Sequence, residues 1–282
     1  MKKTVLYLAL TAAVLCTGSC RGTANDDGAV KVVSYNIRVG TARDHANGWQ
    51  FRHPATDAML REVSPDVFGL QEAMDFQIEY IHTLLPQYEC VGVGREDGKN
   101  KGEHMSIFYR KDRIELLDWG TYWLSETPEV PSKGWDAAYI RTATWTKMKV
   151  KATGKEFFYV NTHLDNEGAE ARRNGLALIV ERIAGMNPGG YPMILTGDFN
   201  TVPSDECFTD LNRIMKNART VAEKTTDGHS YNGWGKPEDF KIIDYIYFSG
   251  FSSCPEFKVL NGTYAGVPYI SDHYPVCSVL KF

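Results

Sequence analysis

The sequence lacks an excess of basic residues, a zinc-type cysteine pattern, internal repeats and low-complexity runs. Its 31 basic and 35 acidic residues do not give the positive surface of a non-specific nucleic-acid binder, although a local groove can still be basic. The spacing of its six cysteines matches no zinc-binding motif. From residue 30 onward no linker is long enough to divide the chain. We therefore expect one mildly acidic globular domain over residues 30–282, and we expect a monomer.

Residues 1–19 have the pattern of an export signal. Lys2 and Lys3 precede the apolar run TVLYLALTAAVLC, which is too short to span a bilayer. The small residues of TGSC then lead to Cys20, as at a bacterial lipoprotein processing site, and an ordinary cleaved signal peptide is the alternative. We expect a signal peptide over 1–19, a lipidated Cys20 and a flexible tether over 20–29. The protein would then be a lipoprotein of the cell envelope, held at a membrane by its lipid.

Removal of the signal peptide would make the protein more acidic. Without Lys2 and Lys3, 29 basic and 35 acidic residues remain, a formal charge of −6. Cysteines also remain beyond Cys20, at positions 90, 207, 254 and 277. A disulfide between Cys254 and Cys277 and free buried thiols are both compatible with the sequence.

The rest of the chain alternates between strand-like and helix-like patterns, and its 43% hydrophobic content is enough for a large core. Runs rich in β-branched and aromatic residues predict strands over residues 30–37, 66–72, 88–94, 104–110, 114–120, 141–150, 156–164, 191–200, 240–250, 255–261 and 274–282. Helices are predicted over residues 55–63, 75–85, 169–186 and 208–215. Consecutive strands argue against a purely parallel sheet, whereas two packed sheets with outer helices satisfy the pattern.

Several predicted strands deliver a polar or titratable residue at or near their ends. These residues are Asn36, Glu72, His163, Asp198 with Asn200, Asp244, and Asp272 with His273. Each one alone has an ordinary explanation as a cap or turn residue. Strand ends that share one edge can, however, bring such residues together into a site.

Six motifs carry a resemblance to a known family. In chain order they are SYNIR, LQE, NTHLD, GDFNTVPSD, IDYIYFSG and SDHYPV, across residues 34–276. Together they resemble the endonuclease/exonuclease/phosphatase superfamily, and residues 121–145 and 162–173 resemble a bacterial, often exported branch of it. The resemblance implies an α/β fold: a four-layer α/β/β/α sandwich of two packed mixed sheets with helices on the outer faces. It also implies metal-dependent hydrolysis of phosphoesters.

The resemblance implies a site for Mg²⁺, with Mn²⁺ as the alternative. Magnesium prefers oxygen ligands and typically uses one or two carboxylates, so Glu72 is the leading ligand. Asn36 would lie beside it, and Asp272 would complete the metal environment. The ion would offset the negative charge that develops on the phosphate.

The resemblance also assigns roles to four residues of the strand-end set. Asp198 would orient and deprotonate the attacking water, and Asn200 would donate a hydrogen bond to a phosphate oxygen. Asp244 would hold the imidazole of His273 and raise its pKa, so that a positive donor faces the phosphate.

Further candidates surround this set. His163 would be another donor to the phosphate or leaving group, and Glu103 stands where one branch of the family has a partner for that histidine. Arg141 could bind phosphate or form an ordinary ion pair. Trp135 could be a platform for a planar substrate group, although sheet packing is the commoner role of aromatic residues in such a stretch. The polar segment 44–53 reads as a loop that could rim the pocket.

The leading hypothesis is a divalent-metal-dependent hydrolase in which an activated water attacks a phosphodiester or phosphomonoester in line. The negative charge balance favours a small-molecule or lipid phosphoester as the substrate. A secreted nuclease acting on DNA or RNA is the alternative. A non-catalytic binding module is disfavoured. Inactive relatives of enzymes usually lack a catalytic residue, whereas this sequence has every strand-end residue to which the resemblance gives a role.

Overall fold

The computed structural model describes residues 28–226 and 228–282. The predicted signal peptide, the lipidated Cys20 and most of the predicted tether lie outside these residues. Within this part of the chain, no helix is both long enough and apolar enough to cross a lipid bilayer.

Strands dominate the described residues. They are β1 (Ala29–Asn36), β2 (Val67–Gln71), β3 (Tyr88–Val91), β4 (Ile107–Arg110), β5 (Ile114–Trp123), β6 (Thr142–Val150), β7 (Glu156–His163), β8 (Met193–Asp198), β9 (Lys216–Asn217), β10 (Lys224–Thr226), β11 (Asp244–Ser249), β12 (Ser253–Val259) and β13 (Val276–Lys281). The helices are α1 (Trp49–Val63), α2 (Asp75–Leu84), α3 (Ala169–Met186), α4 (Leu211–Ile214) and α5 (Ala218–Val221).

The strands form two mixed sheets. One has seven strands in the order β10-β12-β13-β1-β2-β4-β3, and the other has six in the order β5-β6-β7-β8-β11-β9. The strands β1 and β2 run parallel in the first sheet, as do β7 and β8 in the second. These parallel pairs send their carboxyl ends to the same edge of each sheet, which is where polar strand-end residues can meet.

The two sheets pack face to face through a core that includes Val32, Ile107, Tyr159 and Ile246. Apolar residues of α1 and α2 cover the outer face of the seven-stranded sheet. The helix α3 covers the outer face of the six-stranded sheet with Leu176, Ile179 and Ile183. The predicted four-layer α/β/β/α sandwich is therefore confirmed.

One local expectation differs from the structure, and one open alternative is resolved. The segment 44–53 is not a loop throughout, because α1 begins at Trp49 and a short 3-10 helix spans His45–Asn47. Arg52 is 1% exposed and donates hydrogen bonds to the carbonyls of Ile37 and Ile270, so tertiary contacts give this polar segment its helical position. The cysteines at positions 90, 207, 254 and 277 are free thiols, and the Cys254 thiol lies 3.1 Å from the Ser278 hydroxyl.

Candidate active site

Three strand-end residues meet in the six-stranded sheet. The β-ladder places Asp198 at the end of β8 directly beside His163 on one side and Asp244 on the other. All three are buried, with exposed fractions of 4% or less. Strand pairing therefore brings together side chains that are far apart in the sequence.

The seven-stranded sheet contributes Asn36 at the end of β1. Its amide nitrogen donates to Asp198 Oδ2 at 2.9 Å and to Glu72 Oε1 at 3.0 Å. The other carboxylate oxygen of Glu72 accepts the backbone N–H of Val39 at 2.9 Å. Asn36 thus links the carboxylates of the two sheets and fixes their orientation.

His273 approaches the same oxygen of Asp198 as Asn36 does, and Asp244 holds its ring. Nδ1 of His273 is 2.8 Å from Asp244 Oδ2, and Nε2 is 3.6 Å from Asp198 Oδ2. Burial alone would lower the pKa of His273, but the negative charges of Asp244 and Asp198 outweigh it and raise the pKa to about 10. A pKa in this range favours the cationic imidazole at neutral pH.

Burial has the opposite consequence for Asp198. It disfavours the carboxylate and raises the pKa of Asp198 to about 7, with Asp244 acting in the same direction and His273 against it. The backbone N–H of Asn200 donates to Asp198 Oδ1 at 2.9 Å and favours the charged form. Asp198 is thus a carboxyl group that can exchange a proton near neutral pH.

The turn after β8 is held by the side chain between Asp198 and Asn200. Phe199 is fully buried and stacks on Phe208 and Tyr247 in the core under α3 and α4. Asn200 itself has a positive φ of 49°, an unusual conformation for a residue other than glycine. The buried aromatic anchor therefore directs its two polar neighbours towards the cleft.

Asn200 also contacts His163. Its side-chain nitrogen lies 2.9 Å from His163 Nε2 and donates to the Leu164 carbonyl at 3.0 Å. Since an amide nitrogen is a donor, His163 Nε2 accepts this bond, and the ring is neutral. Burial, followed by the charges of Arg141 and Arg95, lowers the pKa of His163 well below its ordinary value.

A pair of acidic residues, Glu72 and Asp272, lines the same cleft. Arg38 lies close to both, with its guanidinium 4.0 Å from Glu72 Oε2 and 3.7 Å from Asp272 Oδ2, and Asp44 holds that guanidinium through two hydrogen bonds. Burial, together with the nearby charge of Glu72, raises the pKa of Asp272. Two carboxylates that repel each other in one cleft offer the oxygen ligands that a hard divalent cation prefers.

A second group of possible metal ligands combines two aspartates with a histidine. Ligand atoms of Asp198, Asp244 and His273 lie within 4.8 Å of one another. The Asp244–His273 hydrogen bond already occupies one oxygen and one ring nitrogen, and His273 is cationic, so this cluster is better suited to moving protons. Glu72 and Asp272 are the stronger candidates for metal ligands, with Asn36 orienting Glu72.

Of the remaining predicted residues, some line the cleft and one does not. Glu103 and Arg141 line the cleft, which has a volume of about 480 Å³. The expected pairing of Glu103 with His163 is not found, because Glu103 pairs with Arg95 at 2.6 Å and His163 Nδ1 has no partner among the described residues. Arg141 forms a buried ion pair with Asp165 at 3.1 Å. Trp135 does not line the cleft.

Sequence reasoning missed several lining residues: Arg38, Arg95, Tyr139, Asn166, Tyr231 and Lys241. Arg38 could have been found, since it closes the SYNIR motif at the end of β1. Tyr139 is four residues from Trp135 in the same aromatic stretch, and only the folded loop distinguishes them. Tyr231 lies against the ring of His273 with centroids 4.9 Å apart, and no local pattern marks this contact.

Comparison with known proteins identifies the family of the chain. The model of the endonuclease/exonuclease/phosphatase family matches residues 33–273. The mannosyl-6-phosphatase of Bacteroides thetaiotaomicron has 36% sequence identity and a TM-score of 0.86, with 90% of this chain and 100% of that chain covered. An endonuclease/exonuclease/phosphatase from Bacteroides vulgatus has 35% identity and a TM-score of 0.85, over 90% and 99% of the two chains.

A more distant relative is similar over the same length. An uncharacterized protein of Acanthamoeba polyphaga mimivirus is 25% identical over 277 residues, which cover 89% of this chain and all of that protein. The family match extends from within β1 to His273 and so includes every strand end that builds the cleft. The chain belongs to the endonuclease/exonuclease/phosphatase family.

Proposed function

We propose that the protein hydrolyses a small phosphoester with the help of a divalent metal ion, Mg²⁺ or Mn²⁺. The observation that carries the proposal is the position of Asp198. It lies between the amide of Asn36, which also binds Glu72, and the cationic ring of His273. A proton acceptor, a positive donor and an acidic pair therefore face one cleft.

Glu72 and Asp272 would hold the metal ion. When bound, the ion would polarise the phosphoryl group and offset the charge that develops on its oxygens. Asn36 would keep Glu72 in position, since its amide donates to that carboxylate at 3.0 Å. Arg38, fixed by Asp44, would add positive charge at the same end of the cleft.

The other polar residues would handle the attacking water and the phosphate. Asp198 would accept the proton of the water, and Asn200 would help to hold the phosphate in line with it. His273, kept protonated by Asp244, would donate to a phosphate oxygen. His163 would position Asn200 through the 2.9 Å contact between Nε2 and the amide.

The size of the cleft favours a small substrate. A cleft of about 480 Å³ suits a single phosphorylated small molecule or a lipid head group. The relative that is 36% identical is a mannosyl-6-phosphatase, which makes a sugar phosphate the first compound to test. A nuclease acting on DNA or RNA is the second candidate, and it would require basic residues along a longer groove.

A substrate panel tests the proposal. Purified protein is incubated with mannose 6-phosphate, inositol phosphates, sphingomyelin, plasmid DNA, RNA and bis-p-nitrophenyl phosphate, each with Mg²⁺, with Mn²⁺ and with EDTA. We expect turnover of a small or lipid phosphoester that EDTA abolishes. Turnover that survives EDTA would contradict the metal requirement, and preferential cleavage of DNA or RNA would contradict the substrate class.

A further inference from the structure

One wall of the cleft has no part in the proposed hydrolytic step. It consists of Arg95, Tyr139, Arg141 and Asn166. Tyr139 is 49% exposed, and the guanidinium carbons of Arg95 and Arg141 each lie 5.5 Å from the centre of its ring. The ring therefore offers accessible apolar surface inside a cleft that is lined mainly by polar side chains.

The charges of this wall are already compensated. Arg95 pairs with Glu103 at 2.6 Å, and Arg141 pairs with Asp165 at 3.1 Å. Arg141 also donates to the side-chain oxygen of Asn166 at 2.8 Å. The wall therefore carries little net positive charge, and it is poorly suited to binding a phosphate group in addition to the one that is hydrolysed.

The same residues retain hydrogen-bond donors. Among the described residues, Nη1 of Arg141, Nη2 of Arg95 and the side-chain nitrogen of Asn166 have no hydrogen-bond partner beyond the bonds named above. A guanidinium group has five N–H donors, so each arginine can keep its ion pair and still bind a further acceptor. N–H donors on a wall of low net charge suit neutral hydroxyl groups.

Hydrogen bonds to Asp165 hold the backbone of the Tyr139 segment in place. The carboxylate of Asp165, which is 1% exposed, accepts the backbone N–H groups of Ala138 and Tyr139 at 3.0 and 3.1 Å. It also accepts the N–H groups of Glu167 and Gly168, so it joins the Tyr139 segment to the turn before α3. A backbone segment that is fixed in advance loses little entropy when its side chain binds a ligand.

We propose that Tyr139 is the platform for the leaving group of the substrate, and that this group is a pyranose ring. The apolar C–H face of the sugar would stack on Tyr139, and Arg95, Arg141 and Asn166 would bind its hydroxyl groups. This inference rests on the proposed function. A nucleobase could also stack on the ring, but it has fewer acceptors along its edge than a sugar has hydroxyl groups.

The test is a change in specificity. The value of kcat/KM is measured for mannose 6-phosphate, which has a ring, and for glycerol 1-phosphate, which has none. We expect Tyr139→Ala to lower the ratio of the first value to the second by about tenfold, and Tyr139→Trp to keep it close to the wild-type ratio. Tyr191→Ala is the matched control, because Tyr191 is 39% exposed and lies outside this cleft, and it should leave the ratio unchanged.

The outcomes separate the two proposals. If the wild-type protein hydrolyses mannose 6-phosphate and Tyr139→Ala leaves the ratio unchanged, the platform is wrong while the proposed function stands. If Tyr139→Ala impairs adenosine 5′-monophosphate more than mannose 6-phosphate, the ring is a base platform and the pyranose assignment is overturned. If the wild-type protein hydrolyses another small or lipid phosphoester of the panel but not mannose 6-phosphate, the pyranose assignment is overturned while the proposed function stands. If it hydrolyses no small or lipid phosphoester of the panel, the proposed function is itself contradicted.

Discussion

Asp198 is the residue on which the candidate site converges. It contacts Asn36 from β1, His163 from β7, the backbone N–H of Asn200 and the ring of His273. A buried carboxyl group is stable only when such partners replace its hydration. The same partners also fix the direction in which Asp198 can accept a proton.

Asp244 is expected to set the protonation state of His273. Its carboxylate is the main group that opposes the effect of burial, so in metal-free protein Asp244→Asn should lower the pKa of His273 from about 10 by about 1–3. The pKa is measured by NMR titration of the imidazole in EDTA. Asp118→Asn, an exposed site on β5, is the control and should leave that pKa unchanged.

The same substitution has a consequence for stability. Because the pKa of His273 is raised above its ordinary value, the charged pair stabilises the fold fully below about pH 6.5 and loses this effect as the pH rises through about 10. In Asp244→Asn, the stabilisation that protonated His273 gives to the fold should be lost at a lower pH than in the wild type. An unchanged His273 titration in this variant would contradict the assigned pairing.

At the scale of elements, buried polar contacts between the sheets support the cleft. Gln71 at the end of β2 donates to Asn161 of β7 at 2.7 Å, and Asn161 donates to the Leu70 carbonyl at 2.8 Å. Thr196 of β8 donates to the same Asn161 oxygen at 3.0 Å. These bonds fix β2, which precedes Glu72, relative to β7 and β8, which carry His163 and Asp198.

Close approach of β2 and β7 requires a glycine at position 69. A Cβ atom there would lie 2.4 Å from the Asn161 side chain and 2.6 Å from the Tyr159 hydroxyl. Gly69→Ala should therefore destabilise the fold by about 1–3 kcal/mol or more, measured as a lower urea midpoint. Gly185→Ala is the matched control, since an added Cβ in α3 meets nothing within 4 Å, and it should be neutral or stabilise by about 0.5–1 kcal/mol. Equal urea midpoints for the wild type and Gly69→Ala would contradict this requirement, because they would show that β2 and β7 can move apart to accept a Cβ atom.

At the scale of the whole molecule, the sequence predicts the architecture well. Local patterns of apolar residues predict the strands and helices, and the ordered motifs carry the family resemblance that implies the sandwich. The helix α3 begins and ends at the predicted residues 169 and 186. Short elements such as β9 and α5 were not predicted, because two to four residues carry too little periodicity.

The site was less predictable where loops decide which side chain faces the cleft. Trp135 and Tyr139 belong to one aromatic stretch, and the choice between them depends on Asp165, which binds the Tyr139 backbone from 26 residues away. Glu103 likewise pairs with Arg95 across an irregular segment. No local pattern in the sequence predicts either contact, because both join residues of irregular segments whose positions depend on the folded chain.

The central claim is that Asp198 drives metal-assisted hydrolysis in this cleft. The most direct test is the initial rate of phosphate release from the best substrate of the panel, for wild type and Asp198→Asn, at saturating Mg²⁺ and in EDTA. We predict that EDTA abolishes wild-type turnover and that Mg²⁺ restores it. With Mg²⁺ present, Asp198→Asn should be about 10²–10⁴-fold slower while its circular dichroism is unchanged. A folded Asp198→Asn variant that turns over at the wild-type rate would contradict the account.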